Sequence, residues 1–341
     1  MSGIFNIFDN NTNKKKKFKS FMYTLITGGL GYVGSVVSKE LSKRNKLILV
    51  DTLTQGSAGK RIINKNIKFE KINILNKIKL EKIFKKFQIE NVIHLAAIVG
   101  DPASKKFPKL TIKTNVDGSN NVLKLAKKYN VKKFIFFSTC SNYGLSKNNK
   151  KLNEKSKLNP ISLYAKTKIK FEKKLISDKS KISKIIFRIS TLYGMSPRMR
   201  FDLTINEFTR LIFLGKNLDV YDADTWRPYL HLKDLSLIVK KFLNLNKLKK
   251  VNVYNIGFSE ENYTKKMICK KIIENFKNKK KLIKFSKKAS KDRRNYKIDF
   301  SKLNKLKFKK TITLSRGIKE ISSALIHNKK LRQNNKFFSN I

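Results

Sequence analysis

The chain has 341 residues, 40% of them hydrophobic, enough to bury a large core as one big domain or two smaller ones. Lys and Arg number 79 against 23 Asp and Glu, a net charge of +56, but the lysines are spread along the chain among Asn and Ile and Arg is scarce, so compositional drift explains the charge and no specific nucleic-acid partner is expected. The chain has no run of eighteen apolar residues and no apolar leader around Lys14–Lys17, and its only cysteines are Cys140 and Cys269, which points to a cytoplasmic protein with no membrane span and no disulfide framework.

Tyr23–Thr27 is a short apolar, β-prone run, and Gly28-Gly29-Leu30-Gly31-Tyr32-Val33-Gly34 follows at once. Gly29, Gly31 and Gly34 read G-x-G-x-x-G, and Gly28, Gly31 and Gly34 read G-x-x-G-x-x-G, ahead of apolar residues at helical spacing through Leu41. Missing side chains let the backbone turn tightly and approach a pyrophosphate, which sits on the free N–H groups of the helix N-terminus. A second apolar run, Leu47–Val50, ends in Asp51, twenty residues after Gly31. An acid there binds a ribose 2′-hydroxyl and repels a 2′-phosphate. Strand, glycines, helix, strand and acid in register predict NAD rather than NADP.

After Asp51 the alternation continues. Ile67–Ile72 alternates like a strand, Ile78–Phe87 has helical periodicity, Asn91–Leu95 is a buried-type strand and Val116–Tyr129 reads as a helix. Lys133–Ser138 and Lys184–Arg188 are further strands, separated by a loop and a helix containing Tyr164. This pattern predicts the α/β class, a doubly wound parallel sheet (Rossmann fold) with a smaller C-terminal substrate-binding lobe. The expected division is residues 22–190 for the NAD-binding domain and 191–327 for the lobe, some of whose segments return to the sheet. Residues 1–21 and 328–341 are expected to be tails, the second polar and frayed.

Tyr164 and Lys168 are four apart, so on a helix the phenol and ammonium share a face. A nearby cation lowers a phenol's pKa toward the range of proton exchange, the acid–base half of a hydride transfer. Alone, this spacing describes any solvated face of a Lys-rich helix; downstream of a dinucleotide loop it is a candidate site. Ligands of such sheets bind beyond the carboxyl ends of the strands, where the loops after Leu95, Ser138 and Arg188 open. Thr139 directly follows its strand and can present a hydroxyl near Tyr164, although Ser and Thr there often only cap the loop. Three scattered histidines and two cysteines make no metal site, and His94 and His231 read as structural.

With these motifs in order, the chain resembles the extended short-chain dehydrogenases/reductases of the NAD-dependent epimerase/dehydratase type, which mostly act on nucleotide sugars. The resemblance spans roughly Met22–Ile326. It rests on the glycine loop, Asp51, His94–Ala97, Asn115–Gly118, Ser138-Thr139, Tyr164 with Lys168, Arg188–Gly194, Trp226–Asp234 and Tyr254–Gly257. It implies that Tyr164 is the acid–base residue, that Lys168 lowers its pKa and holds the nicotinamide ribose, and that Thr139 takes the place of the family's Ser or Thr. NAD is expected to contact Gly28, Gly31, Tyr32, Val33, Gly34, Asp51, Asn73, Ile74, Leu95, Ala96, Ala97, Asn115 and Lys168. Arg227 and Arg294 fall where the family places arginines on the substrate nucleotide, and the neighbouring Arg293 reads as a surface residue. Asp234 is expected to cap a helix, and the family commonly forms homodimers through two helices per subunit.

Asn73-Ile74 stands where the family usually has Asp-Ile against the adenine, and an Asn oxygen can still accept from the amino group. Sugar 4,6-dehydratases carry Asp-Glu directly after the Thr, whereas here those positions are Cys140-Ser141. Cys140 is either an acid–base thiol or a buried, inert cysteine. Asp101-Pro102 and Ser196–Asp202, including Arg200, look like a subgroup signature near the sugar without an assigned partner. The reading that follows is an NAD-dependent nucleotide-sugar epimerase that oxidises a sugar hydroxyl, commonly at C4, and returns the hydride. The rivals are a dehydratase or reductase on the same fold and a non-catalytic nucleotide- or nucleic-acid-binding protein.

Overall fold

The computed structural model describes residues 22–146, 150–246, 248–286, 294–333 and 338–340, so the N-terminal tail with Lys14–Lys17 and Arg293 lies outside the described residues. Seven parallel strands form the central sheet: β1 (Tyr23–Thr27), β2 (Lys46–Asp51), β3 (Ile67–Lys71), β4 (Ile89–His94), β5 (Lys133–Thr139), β6 (Ser183–Ile189) and β7 (Val251–Ile256). Their order is β7-β6-β5-β4-β1-β2-β3, so the direction of winding reverses between β1 and β4. That reversal opens a crevice at the carboxyl ends of those two strands. β7 comes from beyond Arg188, and returns the chain to the sheet at its edge.

Successive residues of each strand point to opposite faces, and every face is covered. Ile26, Leu47 and Leu49 pack on one side with Val37 and Leu41 of α1 (Tyr32–Leu41). Leu25, Ile48 and Val50 pack on the other with Leu80 and Phe84 of α2 (Lys77–Lys86). A third core holds Tyr193, Phe208, Ile212, Tyr229, Ile268 and Ile318 in the C-terminal lobe, and Tyr32 of α1 enters it, so α1 is shared by both cores.

Three local features depart from the sequence reading. Instead of an α-helix from Val116, Lys113–Gly118 is a π-helical turn that continues into α4 (Ser119–Lys128), behind the short α3 (Asp101–Lys106). Such wider turns often serve functional sites, and this one carries Asn115. The described residues of the segment expected to fray are anchored: Lys329–Arg332 is helical, Arg210 donates to the carbonyl oxygens of Leu331, Arg332 and Gln333, and the Phe338 ring packs on Phe201 with centroids 5.3 Å apart. Finally, Asp234 is not the helix cap. His231 Nδ1 accepts the Lys233 N–H, while Asp234, inside the first turn, accepts from Thr311 and Ile312 and ties down the segment leading into the helix Leu314–His327.

Candidate active site

The glycine loop is built by close approach. Gly28 has φ +71°, and a Cβ there would lie 2.8 Å from the amide nitrogen of Ala96, so this loop sits directly against the loop after β4. A Cβ on Gly34 would lie 2.0 Å from the Gly28 carbonyl oxygen, which lets α1 start in contact with the loop. Beside Gly31 there is room: its Cβ would meet only the Gly28 carbonyl, at 3.5 Å. Gly31 is also the N-cap of α1 and gives it no side-chain cap, so no side chain takes the first N–H groups of the helix. Asp51 ends β2 beside them, with Oδ2 accepting from Leu30 N–H at 3.1 Å and Oδ1 from Leu53 N–H at 2.9 Å. The cradle, the uncapped helix end and the anchored acid fit a dinucleotide.

Behind the loops runs a buried polar chain. Ser119 Oγ donates to Asn115 O at 2.7 Å, so it accepts from His94 Nε2–H at 2.8 Å, and His94 Nδ1 accepts from the Thr27 hydroxyl at 2.6 Å. That tautomer follows because the single Ser119 hydrogen is already committed. Burial, and secondarily the Lys168 charge, push the His94 pKa down to about 3, keeping the ring neutral. Asn115, expected at the cofactor, uses its amide internally: Oδ1 accepts Ile98 N–H at 2.8 Å, and Nδ2 donates to Ile98 O at 3.0 Å and Thr167 Oγ1 at 3.1 Å. Thr167 Oγ1 in turn donates to Tyr164 O at 2.7 Å, fixing the turn that carries Tyr164. Asn73 is exposed, and its Oδ1 accepts Leu75 N–H at 2.9 Å, so the oxygen expected to meet an adenine already closes a turn. Ile74 is buried against Gly118, whose added Cβ would meet Ile74 at 2.7 Å.

Tyr164 and Lys168 lie on α5 (Leu163–Ser177), which Ser162 caps by accepting Ala165 N–H at 3.2 Å. Lys168 Nζ donates to Phe137 O at 2.9 Å and sits 5.8 Å from the Tyr164 ring centre. The expected lowering of the Tyr164 pKa by Lys168 is not what this arrangement gives. Burial pushes the phenol up, the charges that pull it down are those of Arg200 and Arg294, and Asp101 opposes them. Lys168 is itself pushed down to about 7 by burial, with Glu172 opposing. Thr139 does cap its loop, accepting Ser141 N–H at 3.1 Å, which leaves its hydroxyl hydrogen to donate.

The arginines expected at substrate are all engaged. Arg200 makes a two-pronged pair with Asp202 at 2.9 and 2.6 Å. Arg227 donates to the carbonyl oxygens of Trp226 and Arg294 and stacks 5.2 Å from the Tyr296 ring centre. Arg294 donates to Ser141 Oγ at 2.9 Å and pairs with Asp101 at 3.0 Å. Cys140 is 1% exposed, donates to Arg188 O at 3.2 Å and is pushed up by burial, so its thiol stays protonated. Sequence reasoning missed Glu172, which pairs with Arg188 at 2.9 Å and accepts from Asn142 at 2.7 Å and from Ser138 beneath the loop. Its signal was present: Glu172 follows Lys168 by four on the same helix face. Arg198, within the Ser196–Asp202 stretch that the sequence leaves without a partner, is buried and donates to Gln55 Oε1 and to Ser339 O, both at 2.9 Å, joining the loop after Asp51 to the C-terminal segment.

Residues 24–257 match the model of the NAD dependent epimerase/dehydratase family. A dTDP-D-glucose 4,6-dehydratase of Dictyostelium discoideum is 35% identical over 271 residues, 73% of this chain and 61% of that protein. Among solved structures, the UDP-glucose 4-epimerase of Thermotoga maritima with UDP-glucose superposes with a TM-score of 0.80 at 27% identity, covering 91% of this chain and 100% of the other. The UDP-glucuronic acid 4-epimerase of Bacillus cereus, in complex with UDP-glucuronic acid and NAD, gives 0.80 at 25% identity over 90% and 99%. With a match over well more than half its length, a reversing parallel sheet and a glycine-loop crevice, the chain belongs to the NAD-dependent epimerase/dehydratase family.

Proposed function

We propose that the protein is an NAD-dependent nucleotide-sugar epimerase acting by transient oxidation of a sugar hydroxyl, at C4 as in the named relatives. One observation carries the choice over a dehydratase: the loop after Thr139 offers a buried, protonated Cys140 thiol and a Ser141 hydroxyl held by Arg294, where elimination needs an acidic pair. Bound NAD supplies a reversible hydride acceptor. The backbone at Gly28, Gly31 and Gly34 with the start of α1 holds its pyrophosphate, Asp51 its adenosine ribose, and Lys168 its nicotinamide ribose. Tyr164 takes the proton of the reacting sugar hydroxyl and returns it after the keto sugar has turned its other face. Arg200 and Arg294 favour the phenolate against the burial that opposes it. Thr139 donates its free hydrogen to the reacting oxygen and holds it in line. Arg227 serves the substrate diphosphate, for which charge-assisted arginine contacts are suited.

The test is incubation of the purified protein with UDP- and dTDP-sugars, products being read by mass spectrometry and NMR. An epimer of unchanged mass with changed ring couplings is expected. A product lighter by one water would make the protein a dehydratase, and steady consumption of added NADH would make it a reductase.

A further inference from the structure

We propose that Asp101 is the residue that reads the sugar ring, selecting a neutral, hydroxyl-bearing sugar over a uronate; this rests on the nucleotide-sugar reading above. Asp101 opens α3 just after Gly100, whose φ of +93° makes the turn that ends the loop beyond β4. Its Oδ2 accepts from Arg294 Nη2 at 3.0 Å, Arg294 Nη1 donates to Ser141 Oγ at 2.9 Å, and Ser141 N–H donates to Thr139 Oγ1 at 3.1 Å. Three separate loops are thereby tied together next to Thr139. Both members of the ion pair also act electrostatically on the Tyr164 phenol, Asp101 raising and Arg294 lowering its pKa, so the pair lies in the neighbourhood of that hydroxyl.

The second oxygen of the carboxylate decides what the pair can recognise. Asp101 Oδ1 is buried and has no hydrogen-bond partner. A buried acceptor of that kind is costly until a donor reaches it, and a ligand hydroxyl is such a donor. Arg294 already balances the Asp101 charge, so a ligand carboxylate placed at Oδ1 would meet a like charge with no hydrogen between the oxygens. A site built to receive a hydroxyl rejects ligands that present none, and the discrimination is large because the buried group is left unpaired. The charge arrangement therefore favours hexoses whose ring substituents are hydroxyls.

The experiment is calorimetric binding of UDP-glucose and UDP-glucuronate to the full chain loaded with NAD, in the wild type and in Asp101→Asn. The Asn oxygen can still accept from Arg294, while its amide replaces the open acceptor by a donor. The wild type should bind UDP-glucose at least about tenfold more tightly than UDP-glucuronate. In Asp101→Asn that ratio should collapse, by weaker binding of the first and tighter binding of the second, and Asp101→Glu should restore part of it. An unchanged ratio in Asp101→Asn, a wild-type preference for UDP-glucuronate, or no measurable binding of UDP-glucose overturns the proposal. Retention of NAD by each variant reports that it is folded. Conversion is read on the same preparations: selective binding without conversion of either sugar would sink the epimerase reading and leave the Asp101 assignment standing, and conversion with an unchanged ratio would do the reverse.

Discussion

Lys168 lies 5.8 Å from the centre of the Tyr164 ring, yet it gives its hydrogen bond to the carbonyl of Phe137, 2.9 Å away. The two residues share a helix face, as their spacing demands, while the ammonium is held by the last strand-forming part of β5 rather than by the phenol. The lysine is thus placed by the sheet, and Arg200 and Arg294 are the cations that ease ionisation of Tyr164.

Replacing Tyr164 by Phe keeps the ring and its packing and removes the ionisable hydroxyl. Folding and NAD retention should survive, and turnover should fall by about two to four orders of magnitude, the worth of a positioned acid–base group. Thr139→Val should cost less, and Lys168→Met should weaken cofactor binding as well as turnover. A Tyr164→Phe enzyme running at the wild-type rate would remove Tyr164 from the mechanism.

Cofactor choice should follow Asp51. A carboxylate fixed by Leu30 and Leu53 N–H groups cannot turn aside from a 2′-phosphate. NADP should bind more weakly than NAD by at least about 2 kcal/mol, some thirtyfold. Asp51→Ala should narrow that gap in a calorimetric titration, and equal affinities in the wild type would contradict the role.

Two glycines of the same loop should fail differently. In Gly34→Ala the new methyl would sit 2.0 Å from a backbone oxygen that cannot swing away, so unfolding midpoints should drop by the equivalent of about 3 kcal/mol. Gly31→Ala meets nothing nearer than 3.5 Å, so the fold should persist while NAD affinity falls, because the methyl occupies the surface left for the pyrophosphate. Thermal melts and NAD titration of both variants would separate the effects; similar melts for the two would refute the assignment of tight packing to Gly34.

His94 sets an acid limit on stability. Its folded pKa is about 3 against an ordinary 6.5, so between those values the unfolded chain binds the extra proton and the folded state loses stability as pH falls. Above about 6.5 this contribution is fully present. Urea midpoints should therefore fall across that window, and His94→Gln, although less stable throughout, should show a shallower decline. An identical slope in the variant would place the titration elsewhere.

What the chain reveals on its own is what neighbours in sequence do to each other. The glycines that clear space for α1, the acid at the end of β2, the two-residue alternation of Leu47–Val50 and the four-residue step from Tyr164 to Lys168 are local relations, governed by backbone geometry and side-chain size. The doubly wound parallel sheet follows from the repeated strand–helix pattern, because crossovers of one hand leave few arrangements, while the order of its seven strands is read from the structure. Relations between distant segments were beyond such reasoning. The Asp101–Arg294 pair, the Arg198 bond to Ser339 and the docking of Phe338 on Phe201 join positions far apart in the chain. The burial of Cys140 and the engagement of Asn115 by Ile98 and Thr167 depend likewise on which loops the sheet brings to one edge. Residue type limits what such groups can bind, but only the packed structure decides which partner is within 3 Å of them.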